Sequence, residues 1–326
     1  MQDAIKYKRI SPHALRQEME KGKDLIVIDT LTKDHYTKVH LPNARNACVF
    51  EVTFLDQIAA LIPEKDDVIV VYGSSEKSLD GVTAAEKLIR AGYSNVLALD
   101  GGLILWREAG YPLEGEQIRI LEAPEMEPRI EDGTYKVNTD ESVLEWTGRN
   151  PNTKHYGTIQ LSGGEITIKN RGISGSFEID MTSIKNINLK GNDLQPVLIS
   201  HLKSDDFFFV KMFPRAFFSL KTVSLVEKAN LSSPNFRVKG TLKLRGIKKE
   251  ITFPATVNPV PEGGAIVEAH FDINRTRWGV IYGSSRFFEH LGMHLVFDLI
   301  SFQLRLVVEV ENPVLPHGAS PIEKAL

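Results

Sequence analysis

The sequence predicts two domains of different class. The first is an α/β domain on a parallel sheet; the second is an antiparallel β domain, closed as a barrel or stacked as a sandwich. Three observations predict this. The chain has 326 residues, about twice an ordinary domain. Up to residue 120, short continuous apolar runs alternate with helical patterns, whereas beyond residue 132 apolar and polar residues alternate one by one. Between them lies Glu122-Ala123-Pro124-Glu125-Met126-Glu127-Pro128, rich in proline and glutamate and without periodicity, which reads as an extended linker. The expected boundaries are 1–118 for the first domain, 119–132 for the linker, 133–311 for the second domain and 312–326 for a C-terminal tail.

In the first domain, Ser11-Pro12 opens a helix as N-cap and first helical residue, followed by Ala14, Leu15 and Met19 at helical spacing. Leu25-Ile26-Val27-Ile28-Asp29, Val68-Ile69-Val70-Val71-Tyr72 and Val96-Leu97-Ala98-Leu99 are short apolar strands. Ala84, Ala85, Leu88 and Ile89 form a second helical stripe, closed by Gly92. Buried strands separated by helices imply a parallel sheet covered on both faces.

In the second domain, Ile166 and Ile168, then Phe177, Ile179 and Met181, alternate with polar residues. Phe236, Val238, Leu242 and Leu244 do the same, and so do Ile300, Phe302, Leu304, Leu306 and Val308. Such strands have one dry and one wet face. Gly163-Gly164, Lys190-Gly191-Asn192 and Gly263-Gly264 punctuate them. One helix interrupts, from Val197 to Lys203.

Composition excludes several classes. The net charge is −3, and the residues up to Ile120 carry 15 basic and 18 acidic side chains. Neither half has the basic excess of a nucleic-acid binder. No apolar run approaches the roughly 20 residues of a membrane span, and the N-terminus lacks the apolar core of a secretory signal, so a cytoplasmic location is expected. The single cysteine, Cys48, excludes an intrachain disulfide and a thiolate cluster. His290-Leu291-Gly292-Met293-His294 reads as an exposed loop, not a metal site, because Gly292 argues against a helix; no metal ligands are assigned. No Gly-x-Ser-x-Gly elbow appears.

In the segment Val70-Val71-Tyr72-Gly73 through Gly81, a buried strand meets a Gly/Ser loop and then a helix. That geometry aims backbone N–H groups and a helix dipole at the loop, a favourable place for an anion. The candidate anion loop is Gly73, Ser74, Ser75, Glu76, Lys77 and Ser78, with Glu76 and Lys77 read as ordinary solvated charges. Together with Val39-His40-Leu41-Pro42-Asn43-Ala44 and the run Gly101-Gly102-Leu103-Ile104-Leu105-Trp106 to Pro112, this loop resembles the rhodanese-like family over residues 7–118. The resemblance implies a persulfide-carrying cysteine at the loop start, where this chain has Gly73. It places Cys48 on a sheet strand outside the loop, as a buried core residue. Sulfur relay needs a polarizable thiolate, so no catalytic residue is assigned and the domain is read as a docking or anion-sensing module.

Alternation in the second domain assigns Leu144, Trp146, Ile159, Leu161, Ile166, Ile168, Phe177, Ile179, Met181, Phe218, Phe271, Ile300, Phe302 and Leu304 to an inward face without charge. An apolar lumen cannot host an unpaired charge, but each buried CH2 of a hydrocarbon contributes roughly 0.8 kcal/mol. The motifs from Tyr135-Lys136-Val137-Asn138 through Phe177-Glu178-Ile179-Asp180-Met181, His201-Leu202-Lys203-Ser204-Asp205-Asp206 and Phe213-Pro214-Arg215, to Asn274-Arg275-Thr276-Arg277-Trp278-Gly279, resemble the YceI-like, lipocalin-type polyisoprenoid-binding family. The resemblance implies a lipocalin-like antiparallel barrel holding a long lipid. His201, Asn274, Arg275 and Arg277 are candidate head-group contacts at the barrel mouth. The resulting expectation is carriage of an isoprenoid, quinone or fatty-acyl lipid, with no cofactor required and a protein partner docked on the first domain. Self-association is left open. Two other readings stand beside it: a sulfurtransferase-related enzyme acting with the barrel, and a structural module with a packed core.

Overall fold

The computed structural model describes residues 7–117, 131–170, 172–230, 232–260 and 263–311. The chain divides into two compact units, Met1–Ala123 and Pro124–Leu326. Residues 119–130 of the expected linker and the expected tail, 312–326, lie outside the described residues.

The first unit runs β1 (Lys8–Ile10), α1 (Pro12–Glu20), β2 (Ile26–Asp29), α2 (Lys33–Lys38), β3 (Arg45–Asn46), α3 (Phe54–Leu61), β4 (Val68–Tyr72), α4 (Asp80–Arg90), β5 (Asn95–Leu99) and α5 (Gly102–Glu108). Its five strands form a parallel sheet in the order β1-β5-β4-β2-β3. Successive residues of β4 serve opposite faces, as a strand's period of two requires. Ile69 and Val71 pack with Phe54, Ile58, Ala84 and Leu88 of α3 and α4. Val70 and Tyr72 pack with Leu15 of α1 and Leu103 and Trp106 of α5. The expected N-cap at Ser11 is present, its Oγ accepting from the Ala14 N–H at 3.2 Å. Trp106 is fully buried and its indole N–H donates to the Pro112 carbonyl at 2.9 Å, which fixes the turn after α5. Cys48 is buried but lies two residues past β3, not on a strand: the pairing with β2 ends at Asn46.

The second unit runs β6 (Gly133–Val137), β7 (Val143–Arg149), β8 (Lys154–Lys169), β9 (Gly172–Asn186), α6 (Leu194–Lys203), β10 (Arg215–Leu225), β11 (Phe236–Leu244), β12 (Ile247–Pro259), β13 (Gly264–Asn274) and β14 (Leu299–Val310). The barrel is closed by β13 pairing with β14. β6 and β7 share one place in the wall between β8 and β14: β7 pairs with residues 154–159 of β8, and β6 with residues 165–168. The result is a closed antiparallel barrel of eight staves. α6 starts three residues before the expected Val197, because Pro196 is tolerated in a first helical turn. Among the described residues no helix is long and apolar enough to cross a membrane.

Candidate functional site

The loop after β4 begins at Gly73, which is buried. The Leu103 and Ile104 N–H groups, at the start of α5, donate to the Gly73 and Ser74 carbonyls at 2.9 and 3.0 Å. What fills the loop is Asp80, the first residue of α4 and itself buried. The Ser74 N–H and hydroxyl donate to Asp80 Oδ2 at 3.1 and 3.0 Å, and the Gly81 N–H donates to Oδ1 at 2.8 Å. A carboxylate at a helix N-terminus is favoured by the dipole. A Cβ built on Gly73 would lie 1.7 Å from Asp80 Oδ1. The carboxylate therefore occupies the space that any side chain at position 73 would need. Of the expected anion loop, Ser74 does serve an anion, but one supplied by the chain itself. Glu76 and Lys77 are exposed, and the Ser75 hydroxyl accepts from the Lys77 N–H at 3.3 Å. The signal for Asp80 was an acid in the first turn of the helix that follows the glycine.

A second carboxylate lies at the end of β2. Asp29 is fully buried. Its Oδ1 accepts from the Leu31 N–H at 2.8 Å, while its Oδ2 has no hydrogen-bond partner among the described residues. Burial pushes its pKa up to about 6, with the Tyr72 hydroxyl and the Leu31 N–H pulling the other way. Burial likewise raises the Tyr72 hydroxyl well above its ordinary value.

In the second unit the inward faces of the staves enclose a cavity of about 170 Å³, counted as room for the centre of a water molecule. Among the described residues every lining side chain is apolar or aromatic; apart from the Met181 thioether, the one heteroatom is the Tyr135 hydroxyl, which donates to the Glu131 carbonyl at 2.7 Å. Ile179, Phe271 and Phe302 point inward yet are only partly buried. Aromatic rings form a continuous wall: Phe177–Phe218, Phe218–Phe253, Phe253–Phe271 and Phe271–Phe302, with centroids 6.3, 5.7, 4.3 and 5.7 Å apart. From Ile159 to Ile168 along β8, a rise of ~3.3 Å per residue and a tilt of ~40° give a channel of roughly 23 Å. Spread along that length, and with the ~1.4 Å radius of water added back, the cavity has a bore of roughly 6 Å. That suits one hydrocarbon chain.

Twelve of the expected lumen residues line this cavity: Leu144, Ile159, Leu161, Ile166, Ile168, Phe177, Ile179, Met181, Phe218, Phe271, Phe302 and Leu304. Trp146 and Ile300 do not; they line a smaller cavity of about 50 Å³ nearer the end covered by α6. The sequence reading put Leu242 on a dry strand face without assigning it to the lumen, and it missed Phe208, from the segment after α6, and inward residues of β12 and β13 such as Phe253 and Val267. Alternation could have found the strand residues, whereas nothing local marks Phe208.

The expected head-group residues sit elsewhere than foreseen. All four lie at the end closed by α6 and the loop between β13 and β14, and all are engaged. Arg275 is 1% exposed and its guanidinium donates to the carbonyls of Phe297, Val280 and Val296 at 3.0, 2.7 and 2.9 Å. Burial lowers its pKa, with Asp298 at 3.9 Å opposing. Asn274 Oδ1 accepts from the Thr276 N–H and hydroxyl, capping a short 3-10 turn. Arg277 donates to the Glu250 carbonyl at 2.9 Å and lies over the Trp278 ring. His201 Nε2 faces Asp206 at 3.1 Å, and its ring meets Phe207 and Tyr282 edge-on. The opposite end carries the β8–β9, β10–β11 and β12–β13 connections, and among the described residues no helix covers it.

These features define a barrel built around an apolar lumen, joined to an α/β domain with a strand–loop–helix site. The chain belongs to the YceI-like family, whose sequence profile matches residues 135–310, and it carries a rhodanese-like domain over residues 11–109. The first domain is 34% identical over 109 residues to the thiosulfate sulfurtransferase GlpE of Pseudomonas paraeruginosa, a match covering 33% of this chain and 90% of that protein. It is 35% identical to the adenylyltransferase and sulfurtransferase UBA4 of Candida albicans over 31% of this chain, which spans only 23% of that protein. The barrel is similar to a structure from Saccharophagus degradans described as a polyisoprenoid binding domain, with 16% identity and a TM-score of 0.38, covering 54% of this chain and 98% of that one.

Proposed function

We propose that this protein binds and carries a long apolar ligand, an isoprenoid, quinone or fatty-acyl lipid, in its barrel. The observation that carries the reading is the uncharged, chain-wide lumen. Affinity comes from apolar burial at roughly 0.8 kcal/mol per CH2, and the closed end makes the ligand enter tail first. The rhodanese-like domain is read as catalytically silent. At the position where active relatives are expected to carry cysteine stands Gly73, and Asp80 fills the space above it. Its role is then to dock a protein partner; anion sensing is disfavoured, because the loop already holds a carboxylate.

The test is organic extraction of the freshly purified full chain followed by mass spectrometry, together with a thermal shift on adding geranylgeraniol, a quinone or a fatty acid. A retained lipid and a rise in the second domain's melting temperature are expected. Protein that retains no lipid and shifts with none of these additions would overturn the reading. Thiocyanate formation from thiosulfate and cyanide is expected at the rate of the protein-free reaction; a rate above it would overturn the silent assignment.

A further inference from the structure

We infer that Phe208 is the floor of the lipid channel and sets the length of chain the barrel accepts. This rests on the lipid-carriage reading above and names a specificity-determining residue for it. The main cavity and the smaller one share three lining residues, Ile159, Phe208 and Phe302. Ile159 and Phe302 belong to the wall, on β8 and β14. Phe208 alone comes from the segment that closes the end, so its ring is the partition between the two spaces.

The partition is rigidly mounted. The N–H groups of Phe208, Val210 and Phe209 donate to the carbonyls of Leu202, Lys203 and Ser204 at 3.1, 3.0 and 2.7 Å. They fold the segment back on the end of α6. Phe209 takes the left-handed conformation, φ 47°, which reverses the chain directly after Phe208. Phe207 is pinned on the outer side between His201 and Tyr282, at 4.9 and 5.4 Å between ring centroids. A backbone held this way fixes where the Phe208 ring is mounted, and the ring itself is buried, with the Phe207 ring 6.4 Å away between centroids.

Behind the ring the second cavity continues the apolar lining with Trp146, Ile184 and Ile300, and ends at Arg275. Arg275 directs three donors at carbonyls, so the annex has a fixed back wall. Removing the phenyl group of Phe208 would join the annex to the channel without opening the end. The channel then lengthens by the depth of one ring plus a space of about 50 Å³, counted again as room for water centres; at ~10–15 Å³ per water on that measure it equals roughly four waters, room for about one further isoprene unit.

The experiment uses the full chain and a series of prenyl alcohols that grows by one isoprene unit at each step, geraniol, farnesol, geranylgeraniol, geranylfarnesol and hexaprenol, with affinity read by competition against a fluorescent fatty acid. For wild type, affinity should rise with chain length and then level off. In Phe208→Ala the levelling point should move up by one homologue, and the first homologue beyond the wild-type plateau should bind about fivefold or more tighter, since one added isoprene unit buries several carbon groups. Phe208→Leu keeps a bulky apolar side chain and should move the point less; it also replaces the Ala variant if that variant does not fold. Identical length profiles in wild type and whichever variant folds would overturn the inference while leaving lipid carriage intact. Failure of wild type to bind any member of the series, or the fatty acid, would instead remove the lipid-carriage reading on which it rests.

Discussion

The two domains each enclose a site, and they treat it in opposite ways. In the rhodanese-like domain the loop after β4 presents backbone N–H groups, which cannot remain buried without an acceptor. Asp80 supplies that acceptor from the chain itself, taking hydrogen bonds from Ser74 and Gly81. In the barrel the described residues of the wall offer carbon and the Met181 thioether, apart from the Tyr135 hydroxyl, which has its own partner. An apolar wall has no hydrogen bonds to satisfy, so it can surround an open space at the lesser cost of lost dispersion contacts. The comparison teaches that a polar loop is closed by an acceptor from its own chain, whereas an apolar lumen can stay open.

The largest effect should come from the polar closure of the barrel's end. Arg275→Met leaves the carbonyls of Phe297, Val280 and Val296 without donors in a buried setting. A loss of about 3–5 kcal/mol in the second domain's stability is expected, read by urea unfolding. Arg277→Met, which gives up one hydrogen bond of an exposed side chain, should cost less than about 1 kcal/mol. If Arg275→Met instead left stability unchanged and weakened lipid binding alone, the residue would be a head-group contact, and the division between a polar cap and an apolar lumen would fail.

The self-filled loop can be broken next. Gly73→Cys restores the residue expected in active relatives, but its Cβ must displace the Asp80 carboxylate. The single variant should lose about 3 kcal/mol and form no thiocyanate. Combining it with Asp80→Ala removes the two closest contacts and leaves the Gly81 N, 2.8 Å from the same Cβ, so the double variant should be no less stable than the Gly73→Cys single variant. The signature is this non-additivity, because neighbours in direct contact do not add. Two independent losses that simply sum would show that Asp80 does not fill the space above Gly73.

How much of this was legible in the sequence follows from how local each cause is. A strand's period of two is a local property, so alternation alone put Phe302 and Leu304 inside, and their place on the lumen wall followed. Trp146 and Ile300 share that inward face but sit past the partition made by Phe208, and the depth of a residue along a barrel depends on where a distant closing segment lies. Arg275 carries the residue type of a surface. Its burial depends on carbonyls from Val280, Val296 and Phe297 that converge only in the fold. Cys48 was foreseen as buried, since free cysteines behave as small hydrophobes, but the strand before it stops at Asn46. Asp80 was visible as an acid at a helix start. That its carboxylate replaces a side chain at position 73 needed the distance from loop to helix.

The smallest effect concerns the other buried carboxylate, and it sharpens the contrast because Asp29 has what Asp80 avoids, an oxygen without a donor among the described residues. Its folded pKa of about 6 lies above the ordinary 3.8, so between these values the folded state holds a proton that the unfolded chain has released. Stability therefore falls as pH rises from about 4 to about 6, and the loss is complete above that. Two units correspond to about 2–3 kcal/mol. Asp29→Asn keeps an oxygen for the Leu31 N–H and has no charge to bury. Relative to wild type, the variant should gain that amount at pH 7.5, and the gain should shrink toward pH 4. Thermal unfolding of the first domain across this range would check it. A gain independent of pH would mean that Asp29 is ionised at no cost, with a partner for its second oxygen after all.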